Sequence, residues 1–124
     1  MKTKILIAAA LLLAVVSFAQ QPRAEYPRPQ FERAEWMNLN GEWSFTLDLA
    51  DTGHERDFTN SKGFDGKIIV PFAPESKLSG VEHKEFINAV WYQRTIQIPA
   101  DWKGKNVKLN FGAVFYESEI FIDG

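Results

Sequence analysis

The chain contains no cysteine. Disulfides are therefore excluded, and so are thiolate metal sites. It also lacks an apolar run long enough to cross a membrane. The longest, Ile5 to Val16, is 12 residues, against the ~20 that a spanning helix needs. There is no excess of positive charge: 14 Lys and Arg stand against 16 Asp and Glu, giving −2 at neutral pH. The basic residues are scattered and form no stripe, which argues against nucleic acid or anionic lipid as partners. The two histidines, His54 and His83, have no metal-ligand spacing, so no metal or cofactor is expected. Beyond the first 20 residues there is no helical periodicity, no internal repeat and no low-complexity tract.

What is present begins with a leader. Lys2 and Lys4 precede the Ile5–Val16 run, and Ser17-Phe18-Ala19 closes it with small residues at its first and third positions. This is the n-region, h-region and cleavage-site pattern of a signal peptide over 1–19. Cleavage is expected after Ala19, with export to the periplasm or the cell exterior. Without a cysteine after the run, a lipoprotein anchor is not expected. Loss of Lys2 and Lys4 takes the charge from −2 to −4. About 105 residues remain, one domain's worth. A disulfide-free exported chain has to be held by its core, and ten Phe, four Trp and three Tyr suit a β-sandwich interior.

Residues 20–35 read as an irregular lead-in, because Pro22, Pro27 and Pro29 favour extended chain without ladder or helix bonds. Asn40-Gly41 then marks a turn. Trp43, Phe45, Leu47 and Leu49 alternate with Glu42, Ser44, Thr46 and Asp48, which predicts a half-buried strand. The polar stretch 51–66 reads as turns anchored by Phe58 and Phe64. A short strand, Lys67–Val70, runs into Pro71, and the segment Pro71–Asn88 reads as a long ordered loop. A second strong strand is predicted over Val90–Ile98, with Val90, Tyr92, Ile96 and Ile98 on one face and Trp91, Gln93, Thr95 and Gln97 on the other. Arg94 falls on the apolar face, either paired there or beyond the edge of the core. Two further strands are predicted, Val107–Phe111 and Val114–Ile122, before Asp123-Gly124 gives a hairpin turn signal.

Alternating strands with turns between them predict an all-β antiparallel sandwich or jelly roll occupying 36–124. The return strand of the last hairpin is not in the sequence. The pattern therefore predicts a sandwich incomplete at its C-terminus, with an open edge, an uncovered face and a tendency to aggregate or stay partly unfolded.

The ordered set Leu39-Asn40-Gly41-Glu42-Trp43-Ser44-Phe45, Val70-Pro71-Phe72, Val90-Trp91-Tyr92-Gln93-Arg94-Thr95, Ile98-Pro99-Ala100-Asp101-Trp102-Lys103-Gly104-Lys105, Leu109-Asn110-Phe111-Gly112-Ala113-Val114 and Ile122-Asp123-Gly124 resembles the N-terminal sugar-binding domain of glycoside hydrolase family 2. That family includes β-galactosidases, β-glucuronidases and β-mannosidases. The resemblance covers roughly 36–124. It implies a jelly-roll, galactose-binding-like domain followed by an immunoglobulin-like domain and a barrel holding two catalytic Glu residues. Retaining hydrolysis uses a carboxylate pair about 5–5.5 Å apart. In this family both Glu lie beyond residue 124, so no catalytic residue is expected here. The family's usual Asn-Gly in the last turn is Asp-Gly in this chain.

Candidate contacts to a carbohydrate partner follow from residue chemistry. Trp91 and Tyr92 offer aromatic faces for stacking on a sugar, although strand alternation sends them to opposite faces. Glu75, Ser76 and His83 are polar groups on the long loop, and the resemblance implies that such loops shape a substrate entrance. Glu117 and Glu119 share a strand face but read as solvated. A free-standing carbohydrate-binding module without catalysis is the alternative reading, and an adhesion-type structural sandwich is a third.

Overall fold

The structure is a computed structural model that describes residues 21–123. The signal peptide expected over 1–19 and the final Gly124 of the hairpin signal lie outside the described residues. Among the described residues no helix is long and apolar enough to cross a membrane.

The fold is all-β: among the described residues it is a three-stranded antiparallel sheet with four single turns of 3-10 helix, two between the strands, one before the first and one after the last. Strand β1 (Gly41–Asp48) is central, flanked by β2 (Gly66–Val70) and β3 (Ala89–Gln93). Gly41 opens β1 with φ of +116°, a conformation that a side chain would strain, so the Asn-Gly turn residue is there for its backbone. In β1–β2, Trp43 faces Ile68 and Ser44 faces Lys67; in β1–β3, Phe45 faces Tyr92 and Thr46 faces Trp91.

Alternation divides the sheet into an apolar and a mostly polar face, with Ile69, opposite Glu42, an apolar exception on the second. One face carries Trp43, Phe45, Leu47, Ile68, Val70, Val90 and Tyr92. The other carries Glu42, Ser44, Thr46, Asp48, Lys67, Trp91 and Gln93. The core is small and sits on the first face, where Ile68 and Phe45 are buried. The Tyr92 ring meets Phe45 edge-on at 5.1 Å and Trp43 at 6.5 Å. Such cross-strand aromatic contacts contribute about 0.5–1.5 kcal/mol beyond area burial. The loop from Pro71 is anchored by a polar residue and not by the apolar ones expected to hold it: a 3-10 turn at Lys77–Ser79 packs against β2 and Ser79 is fully buried, whereas Leu78 and Phe86 are exposed. On the opposite face the 51–64 segment packs through Phe58, whose ring lies 5.2 Å from Phe64 and 5.6 Å from Trp91.

The lead-in is tied to the start of β1. Gln21 Nε2 donates to Asn38 O (2.8 Å) and Asn40 O (3.1 Å), Asn38 Nδ2 donates to Arg23 O (2.8 Å), and Tyr26 packs edge-on to Trp36 at 4.6 Å.

Three further expectations are corrected. The second strong strand ends at Gln93 rather than Ile98. Arg94 leaves the ladder, and its Nη1 donates to Leu39 O (2.6 Å) and Asn40 O (3.2 Å) while the guanidinium lies over Trp43 at 5.8 Å. Both readings of Arg94 thus hold: it is past the strand end, and it is paired. The segments 107–111 and 114–122 form no strand among the described residues. A strand requires neighbouring backbone to satisfy its N–H and C=O groups, and no ladder partner is described for either. Leu49, expected to face inward, is 52% exposed, because β1 ends at Asp48 and the chain turns away.

Candidate functional site

β3 carries the two aromatic candidates, and the structure separates them as strand parity predicts. Tyr92 lies on the apolar face and is 39% exposed. Burial raises the pKa of its hydroxyl, and the negative charge of Glu75 raises it further. Glu75 is exposed, so one sequence candidate from the long loop is electrostatically coupled to one from the sheet. Together they offer a partly solvated aromatic ring and a free carboxylate.

The other loop candidates take different positions. Ser76 caps the 3-10 turn, its Oγ accepting from Leu78 N at 3.2 Å. Its carbonyl accepts from Ser79 Oγ at 2.6 Å. The backbone N–H of His83 donates to Pro74 O at 3.0 Å and closes the loop, while its ring Nε2 is buried with no hydrogen-bond partner. Ser76 and His83 thus build the loop that displays Glu75.

Trp91 lies on the opposite face, so the five candidates do not form one site. Its indole Nε1 donates to Asp48 Oδ2 at 3.1 Å. Its ring meets His54 edge-on at 5.2 Å and stacks near-parallel on Phe121 at 6.0 Å. Gly53 lies against the indole: a Cβ placed there would lie 2.6 Å from Trp91 Cζ2 and nearer still to Nε1. Glycine at 53 is a steric requirement of the indole.

The residue that organises this face is Asp48, which the sequence reading placed only as a polar strand position. It is 2% exposed and accepts from Thr52 N (3.0 Å), Gly53 N (2.7 Å) and Trp91 Nε1. Burial pushes its carboxyl up. The three hydrogen bonds, with the Arg56 charge, outweigh that and hold it below the usual carboxylate value. The available signal was the Asp-Leu-Ala-Asp-Thr-Gly run at a strand end, an arrangement in which a carboxylate can cap the N–H groups four and five residues on.

Glu117 and Glu119 are exposed on the C-terminal segment, and Glu119 Oε2 lies 3.0 Å from His54 Nε2. Neither carboxylate is enclosed as a glycosidase acid has to be. Among the described residues no three of His, Asp and Glu converge to hold a metal ion.

No family model matches the chain. Among curated proteins it is 24% identical to a β-glucuronidase of Streptococcus agalactiae, over 70% of this chain and 14% of that protein. It is 26% identical to a β-glucuronidase of Canis lupus familiaris, over 95% of this chain and 20% of that protein. With the β-glucuronidase of Felis catus the identity is 28%, over 80% of this chain and 17% of that protein. The chain is thus a distant relative of β-glucuronidases and spans about a seventh to a fifth of their length.

Proposed function

We propose that this chain is the N-terminal accessory domain of an exported glycoside hydrolase that cleaves β-linked sugars, with the catalytic carboxylates in a part of the protein beyond residue 124. The observation that carries this reading is the match to β-glucuronidases over most of this chain but 14–20% of theirs. The antiparallel all-β architecture and the open arrangement of the carboxylates agree with a supporting role. In this reading the Pro71–Asn88 loop borders the substrate entrance. Glu75 and Tyr92 are its sugar-contacting groups, Ser76 and His83 fix the loop, and Trp91 holds the opposite face together. The leader over 1–19 directs export.

The test begins with the coding DNA past Gly124, followed by expression of the complete gene product. The complete product is expected to hydrolyse a 4-nitrophenyl β-glycoside, assayed as glucuronide, galactoside and mannoside, whereas the 124-residue chain gives no turnover. A stop codon directly after Gly124 in independent reads, with sugar binding by the chain itself, would replace this reading with that of a free-standing carbohydrate-binding module.

A further inference from the structure

Asn40 is the one asparagine of the chain that is followed by glycine, and the structure places donors on the peptide group between them. Asn40 O accepts from Gln21 Nε2 at 3.1 Å and from the Arg94 guanidinium, through Nη1, at 3.2 Å. The Asn40 side chain is engaged separately. Its Nδ2 donates to Pro22 O at 3.1 Å and to Arg23 O at 3.4 Å, which ties the lead-in to the start of β1. Asn40 and Gly41 are both half-buried, so water reaches them. Gly41 brings no Cβ to obstruct an approach of its nitrogen to the Asn40 side chain.

The amide carbon of an asparagine side chain is open to attack by the peptide nitrogen of the next residue. That nitrogen becomes a nucleophile on losing its proton. The negative charge it then carries is shared, through peptide resonance, with the carbonyl oxygen of the same peptide group. Here that oxygen is Asn40 O, which faces a guanidinium cation and an amide donor. A cation beside an acidic group favours its ionised form. Donors fixed in advance where charge develops lower the barrier to forming it.

We infer that Asn40 is a site of spontaneous modification, promoted by Arg94 and Gln21, and that its conversion unties the lead-in from the sheet. Hydroxide removes the proton from Gly41 N. The bond from Gly41 N to Asn40 Cγ forms, the Cγ–Nδ2 bond breaks, and Nδ2 leaves as ammonia after taking a proton from water. Water then opens the five-membered imide at either carbonyl, which gives an ordinary aspartyl residue or an isoaspartyl link through Cγ. One water is consumed and one ammonia released, with no change of oxidation state. A carboxylate has no N–H to donate, so the bonds to Pro22 O and Arg23 O are lost, and a negative charge faces both carbonyl oxygens. The isoaspartyl form also lengthens the backbone by a methylene where Gly41 pairs with Val70.

The test is ageing of the full chain in ¹⁸O-water at mildly alkaline pH, folded and unfolded in urea, with peptide mapping of each converted asparagine. Asn40 is expected to convert about tenfold faster in the folded chain than in urea, the margin that one hydrogen bond from a charged donor supplies. Asn60, exposed and followed by Ser61, should show no gain from folding. Arg94→Gln should remove the advantage of the folded chain at Asn40. The urea comparison uses the native sequence, so it decides the matter even where that variant fails to fold. Asn40→Asp should speed tryptic cleavage after Arg23 about tenfold, because cleavage follows the population of the opened segment. Conversion of Asn40 at equal or lower rate in the folded chain, or at the native rate in folded Arg94→Gln, would overturn the promotion by the structure. Unchanged cleavage in Asn40→Asp would overturn the untying of the lead-in.

Discussion

Asp48 combines nearly complete burial with a carboxyl held below its usual value, because three donors converge on it. The unfolded chain titrates this group near the ordinary ~3.9. The carboxylate's contribution is therefore complete above about pH 4 and is lost as pH falls through the folded value. Thermal melts between pH 7 and pH 3 should show stability falling with acid. Asp48→Asn should lower the melting temperature at pH 7, by the equivalent of about 1.5–3 kcal/mol for lost hydrogen bonds to a charged group, and should flatten that acid dependence. A variant with the same acid slope as the native chain would remove Asp48 from this role. Strand parity was enough to place Trp91 and Tyr92 on opposite faces. It could not show that Asp48 and Trp91 meet, because a contact across 43 residues leaves no local pattern.

At the scale of elements, the sheet stands on β1. The eight-residue alternation from Glu42 to Leu49 and the Asn-Gly turn made this strand legible, and Ile68-Ile69-Val70 before Pro71 did the same for β2. The later segments were misread for one reason. Period-2 alternation reports which residues could share a face, whereas a strand exists only when another backbone completes its ladder. Val107, Leu109 and Phe111 have the pattern but no partner among the described residues, and all three are exposed. Truncation separates the two cases. Phe45→Ala, at 3% exposure, should cost about 3–5 kcal/mol, and Phe111→Ala, at 48% exposure, should stay within about 0.5 kcal/mol. Chemical denaturation of each variant measures both, and a large loss at Phe111 would mean that the 107–111 segment is packed after all.

The whole molecule presents much unburied apolar surface in its last quarter. Phe115, Tyr116, Ile120 and Ile122 are each more than half exposed, beyond what a stable monomer commonly displays in one region. The chain is expected to self-associate as concentration rises, which sedimentation velocity would show as a growing sedimentation coefficient. Phe115→Lys with Ile120→Lys should suppress the growth and leave the melting temperature unchanged. A native chain that sediments as a monomer across the range would mean that this surface is covered in solution.

The strand order β2-β1-β3 also fixes a sequence of events in time. The central strand is made first, yet both of its neighbours lie downstream, the farther one ending at Gln93. At synthesis rates of about 5–20 residues per second, β1 waits a few seconds with both edges bare. β2 can join it before β3 is made, but the ladder closes only when the segment through Gln93 has emerged. Any factor that holds the chain extended during that interval acts on β1 before the sheet has formed.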